Sequence, residues 1–157
     1  MVPDSRIYKD IKSLPSLNAD ESKWVVSQME YKGLPLIVRA NYTAKDWVGH
    51  RLLSVKVGCA IPFKKPSMNG LPDPNENEQV LNIEDVIVEE FRKRLIGLLA
   101  FVLTTGTMRE LVFYVKNCDD IDALKKSILT RVKTHEVQFL VANEPNWDSY
   151  INFAPAV

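Results

Sequence analysis

The sequence predicts an α+β fold, a mostly antiparallel sheet with two helices on one face and an added N-terminal β-hairpin. Three observations predict it. The stretch Leu98 to Val115, LLAFVLTTGTMRELVFYV, reads as a hairpin, with apolar and β-branched runs on either side of Thr105-Gly106-Thr107. Two segments, near residues 82–96 and 120–133, carry apolar residues at helical spacing. Further alternating runs precede and follow them.

In chain order, residues 1–21 read as an N-terminal arm without sustained periodicity, apart from Tyr8, Ile11, Leu14 and Leu17 spaced by three. A single α+β domain is expected over residues 22–157. KWVVSQMEY (23–31) and LIVRANY (36–42) predict a hairpin joined through Lys32-Gly33-Leu34-Pro35. RLLSVKVGCAI (51–61) alternates, with Leu53, Val55, Val57, Cys59 and Ile61 on one face. PFKKPSMNGLPDPNENE (62–78) has four prolines and Asn69-Gly70, and predicts a long loop.

Asn82 is the expected cap of the first helix, with an earlier start near Glu78 as the alternative because Val80 also fits its buried stripe of Ile83, Ile87, Phe91 and Leu95; Gly97 is the expected C-terminal cap. In the central hairpin the first run is apolar on both faces: Leu99, Phe101 and Leu103 on one, Ala100 and Val102 on the other. That predicts an interior strand. The second run sets Leu111, Phe113 and Val115 against Glu110, Val112, Tyr114 and Lys116, so one face needs full burial. Gly106 is expected to supply a positive φ at the turn.

The second helix buries Ile121, Leu124, Ile128 and Val132, and HEVQFLVA (135–142) is the last strand. Trp147, Tyr150 and Phe153 predict a helical turn or an aromatic clasp. From Arg51 onward the order is strand, helix, strand, strand, helix, strand, the split βαβ or ferredoxin-like arrangement. Leu98–Thr105 would ordinarily lie at its edge, so the N-terminal hairpin or the aromatic tail must cover it.

Composition narrows function. Among 157 residues, 20 Lys+Arg balance 20 Asp+Glu, which leaves no global field to hold polyanions. The longest apolar run, Leu95 to Leu103, is far short of the roughly 20 residues that span a bilayer, and the N-terminus has no signal-peptide core, so no membrane association and a cytoplasmic location are expected. Cys59 and Cys118 lack metal-ligand spacing and are expected to be reduced. His50 and His135 stand in no metal-binding or nucleophile-base pattern, and Gly106 in no phosphate-binding loop. No catalytic, metal or cofactor set is assigned. The acidic residues Glu84, Asp85, Glu89 and Glu90 read as a solvated helix flank.

A protein partner fits best. Trp47 beside a turn, Arg109 and Tyr114 on the central hairpin, and Trp147 and Tyr150 in the tail are the candidate interaction residues, because aromatic and arginine side chains dominate interface energetics; against this, tryptophan is highly buried on average, and the core-plug reading of Trp47 and Trp147 outweighs the interface one. Two alternatives use overlapping residues. An RNA-associated regulator would use Lys56, Tyr114 and Gln138 on the open sheet face. An enzyme would assemble Arg109, Tyr114 and the helix carboxylates around one pocket.

GLPDPNENEQVLNIEDVI, TTGTMRELVFYVKN and NEPNWDSYINFAP, within a likeness that runs from Trp24 to Pro155, resemble a bacterial domain family catalogued as a domain of unknown function, number 695 in its series. The resemblance implies no activity and no catalytic residues. Members are sometimes joined to a domain similar to the protein inhibitor of the endoribonuclease RNase E, also an α+β sandwich. It therefore implies a non-enzymatic protein-binding or regulatory module.

Overall fold

The computed structural model describes residues 10, 11, 14, 23–69 and 71–154. Most of the expected arm over residues 1–21 lies outside the described residues; Ile11 and Leu14 pack against the core. The elements are β1 (Trp24–Tyr31), β2 (Leu34–Asn41), a 3-10 helix (Tyr42–Trp47), β3 (Val55–Pro62), α1 (Pro74–Arg94), β4 (Gly97–Thr104), β5 (Met108–Val115), α2 (Ile121–Arg131), β6 (Gln138–Asn143) and α3 (Asp148–Phe153). One sheet holds six strands in the order β1-β2-β4-β5-β3-β6. Every neighbouring pair is antiparallel. The protein is thus α+β.

The β1–β2 hairpin turns through Lys32 and Gly33, both at positive φ (53° and 79°), which is the two-residue geometry that matches strand twist. β2 then pairs with β4 from Ile37↔Thr104 to Ala40↔Phe101. The hairpin extends the sheet, while the C-terminal aromatics cover one face of β4. Both candidates for shielding that strand are used, on different sides.

Two cores lie on opposite faces. On one, α1 and α2 bury Ile87, Phe91, Leu124 and Ile128 against Val57, Leu111 and Phe113, with Phe91 and Phe113 stacked at 3.6 Å between ring centroids. On the other, the 3-10 helix and α3 bury Trp47, Trp147 and Tyr150 against Phe101, Val112 and Tyr114. Both faces of β5 are therefore buried, where the sequence required only one. The polar-looking alternation of Glu110, Val112, Tyr114 and Lys116 conceals two residues of this second core.

Several local expectations are corrected. A β-bulge between Leu99 and Phe101 shifts the phase of β4, so that Leu99 and Val102 face the long helices while Phe101 and Leu103 face the aromatic side. Asn41 is buried beside it and donates from Nδ2 to the Leu99 carbonyl at 2.9 Å. Helix α1 begins at Pro74, eight residues before Asn82. Asp73 caps it by accepting from the Glu76 amide at 3.1 Å, and Pro74 occupies the first turn, where a missing N–H costs nothing. The 62–78 loop is correspondingly shorter.

Gly97 is the first residue of β4 rather than a helix cap. A Cβ there would come within 2.3 Å of the Tyr114 carbonyl oxygen, so close strand approach demands glycine. Gly106 is not at positive φ; the Thr105 hydroxyl closes that turn, accepting from the Thr107 and Met108 amides at 3.2 Å each. Strand β3 starts at Val55, which leaves Leu53 in the aromatic core instead of the helix-side one. His135 precedes the last strand, which starts at Gln138.

Candidate functional site

The aromatic side of the sheet is built from cross-strand rows. One row is Val38, Leu103, Glu110, Ala60 and Gln138; the next is Ala40, Phe101, Val112, Gly58 and Leu140; the third is Leu98, Tyr114, Lys56 and Ala142. The third row lies under the C-terminal clasp. Trp147 stacks on Tyr114 at 4.1 Å and donates from Nε1 to the Leu53 carbonyl at 2.8 Å. Tyr150 meets the Trp147 ring edge-on and donates from its hydroxyl to the Asn41 carbonyl at 2.8 Å.

Glu144 ties the clasp to the sheet. Its carboxylate accepts from the Tyr114 hydroxyl at 2.5 Å, from Lys56 Nζ at 3.2 Å and from Ser149 Oγ at 2.8 Å. Burial pushes Glu144 up, but these donors together outweigh it and hold the carboxyl below its usual range. The Tyr114 phenol is pushed well above its ordinary value by burial and by the Glu144 carboxylate.

The other two rows floor a cavity of about 260 Å³, walled by Leu36, Phe101, Leu103, Val112, Leu140 and Phe153. Its charged lining residues are Glu110 and Lys56. Gly58 makes room for Glu110, whose Oε2 would stand 3.2 Å from a Cβ at that position. Burial pushes the Glu110 carboxyl up, and Lys56 opposes the shift only through space, because its ammonium group is committed to Glu144 and Ser149. Tyr31, Thr105 and Met108 also line a second cavity, of about 310 Å³, between the tips of the two hairpins and Ser67-Met68. Tyr31, Leu34 and Met68 are 55%, 50% and 84% exposed around it.

All five interaction residues expected from sequence are buried: Trp47, Arg109, Tyr114, Trp147 and Tyr150. Each completes a core or a polar network, which for Trp47 and Trp147 is the core-plug role weighed above the interface from sequence. Tyr114 lies beneath Trp147 and cannot stack a base. Arg109 is on the opposite face of β5 from Tyr114, so the pocket expected to join them with the helix carboxylates does not form. Arg109 instead donates to Thr104 (3.0 Å), Glu84 (3.3 Å) and Asn77 (2.7 Å). Strand alternation placed Glu110 and Tyr114 together and left Arg109 with Leu111 and Phe113. The residues that sequence reasoning missed are Glu110 and Gly58, and the available signal was their positions on facing strands.

Of the acidic residues expected as a solvated flank of α1, Asp85 is exposed and Glu89 partly so, but Glu84 and Glu90 are corrected. Glu84 is buried between Arg109 and Arg39, and Glu90 is buried among Arg94 (3.3 Å), Arg131 (3.0 Å) and Ser127 (2.6 Å). The Ser127 hydroxyl, with both arginines, holds Glu90 low against the effect of burial. Glu76 accepts from the Lys64 and Lys65 amides at 2.6 and 2.9 Å and meets His135 Nε2 at 2.7 Å, which fastens the proline loop to α1. Among the described residues no group of three or more His, Cys, Asp or Glu is placed to hold a metal ion, and no helix is long and apolar enough to cross a membrane.

No curated protein and no solved structure matches this chain. The model of a family of unknown function, DUF695, matches residues 22–154. The match takes in the whole sheet, both long helices and the clasp, and by it the chain belongs to the DUF695 family.

Proposed function

We propose that the protein is a non-catalytic, protein-binding regulatory module of the cytoplasm, and that its contact surface is the groove on the aromatic side of the sheet. The carrying observation is that two cavities of about 260 and 310 Å³ share Tyr31, Thr105 and Met108 in their walls, with Leu34 and Met68 exposed beside them. Two neighbouring, mainly apolar cavities open to solvent suit a chain segment better than an enclosed small molecule. Free Cys59 and Cys118 agree with a reducing compartment. Glu110 would repel RNA phosphates, and Lys56, the basic residue lining the same cavity, is engaged by Glu144 and Ser149.

Photo-crosslinking tests this reading. A benzophenone amino acid is placed at Met68, beside the groove, or at Leu129, exposed on α2. A defined protein crosslinked from position 68 in lysate, resistant to nuclease and lost with Leu34→Glu, is the expected result. Crosslinks only from position 129, or only to nuclease-sensitive material, would contradict it.

A further inference from the structure

Four carboxylates withdrawn from solvent have partners. Glu76 has two amides and a histidine, Glu84 two guanidinium groups, Glu90 two more, and Glu144 a lysine and two hydroxyls. Glu110 is half-buried at the floor of the groove and makes no hydrogen bond or ion pair among the described residues. Neither of its oxygens is sealed from solvent, since among the described residues the buried side-chain atom left without a partner is Trp24 Nε1; Glu110 is a half-buried acid that the groove leaves open to a cation from outside. The nearest cation, Lys56, is already taken.

We propose that Glu110 is the recognition point for a lysine or arginine side chain, carried between apolar residues on an extended segment of the partner protein. This rests on the binding-module reading of the same groove. The charge complementarity is local: Glu110 lies among Phe101, Leu103, Val112 and Leu140, while Lys56, which lines the same cavity, has its ammonium group engaged by Glu144 and Ser149. A basic side chain entering there lays its aliphatic stem along those apolar walls and brings its charged end to the carboxylate. Its neighbours on the segment fill the second cavity, between Leu34 and Met68. An acidic or purely apolar segment leaves Glu110 desolvated and unpaired, so the site discriminates by penalty as well as by attraction.

The test is selection from a phage-displayed library of random peptides on the full chain, with wild-type protein and Glu110→Gln in parallel. The wild type is expected to enrich peptides with one Lys or Arg flanked by apolar residues. Glu110→Gln should bind a selected peptide about tenfold or more weakly, and should bind its Lys→Met version as the wild type does. Gly58→Ala, which pushes on the carboxylate from below, should weaken the same peptide while the chain stays folded by circular dichroism. Enriched peptides that lack a basic residue, or that bind Glu110→Gln equally well, overturn the role of Glu110 and leave the groove as a binding surface. A library with no enrichment on either protein overturns both.

Discussion

On the helix side of the sheet, Glu84 sits between Arg39 and Arg109, and Glu90 among Arg94, Arg131 and Ser127. On the aromatic side, one end has the same character, with Glu144 holding Lys56, Tyr114 and Ser149, and the other end leaves Glu110 unpaired in a mainly apolar cavity. The difference separates structural charge from available charge. Where helices or the clasp cover the sheet, each buried carboxylate named here is completed from within. Where nothing covers it, the carboxylate is incomplete.

The sharpest way to break this comparison is to remove the clasp. If Trp147 is core, Trp147→Ala should cost about 3–5 kcal/mol, the range of buried aromatic truncations, and match Phe91→Ala on the helix side. Denaturant unfolding checks it. A loss under about 1 kcal/mol would make the tail a detachable flap, since surface substitutions stay near that scale.

Next in size is Arg109→Ala, expected to cost about 3 kcal/mol because it removes one of the two guanidinium groups from buried Glu84. Combining it with Glu84→Leu should recover much of the loss, as replacing a whole buried pair by apolar groups often does. Equal losses in the single and double variants would contradict the pairing.

These positions also show what the sequence made legible. The order of elements from Arg51 onward, the interior status of β4 and the buried stripe of α2 were readable, because they follow from hydrophobic period alone. The start of α1 at Pro74 was readable in principle from Asp73-Pro74-Asn75-Glu76 but was masked by the density of prolines around it. The bulge at Ala100 leaves no period of its own, and it put Leu99 and Phe101, expected on one face, on opposite faces. The aromatic residues expected at an interface are the ones that seal the second core. Composition gives a tryptophan's appetite for contact, and only tertiary packing says whether its own chain satisfies it.

Glu144→Gln is expected to have a smaller effect, about 1–2 kcal/mol, through loss of its charge-assisted bonds. Glu144 is held below its ordinary value in the fold. Its contribution is therefore present above about pH 4.3 and is lost as the pH falls through the lower folded value. Thermal melts across that window should show wild type and variant converging in acid. A difference that persists unchanged in acid would contradict the ionised role of Glu144.

Smallest, and opposite in sign, is Glu110→Gln. Burial raises the Glu110 carboxyl above its ordinary value, against the opposing charge of Lys56, so the penalised form in the fold is the ionised one. The penalty is absent below the unfolded value near pH 4.3 and grows as the pH rises toward the folded value. The variant should therefore be more stable than wild type at neutral pH, by about 1 kcal/mol, with no gain in acid.

Measured on one preparation, the stability of Glu110→Gln and its photo-crosslinking from position 68 test the central claim most directly. The predicted result is a protein at least as stable as wild type that crosslinks its partner much more weakly, which would mark Glu110 as a group kept for binding at the expense of the fold. A variant that melts lower than wild type and crosslinks undiminished would show that Glu110 serves the structure, and the distinction drawn between the two sides of the sheet would not stand.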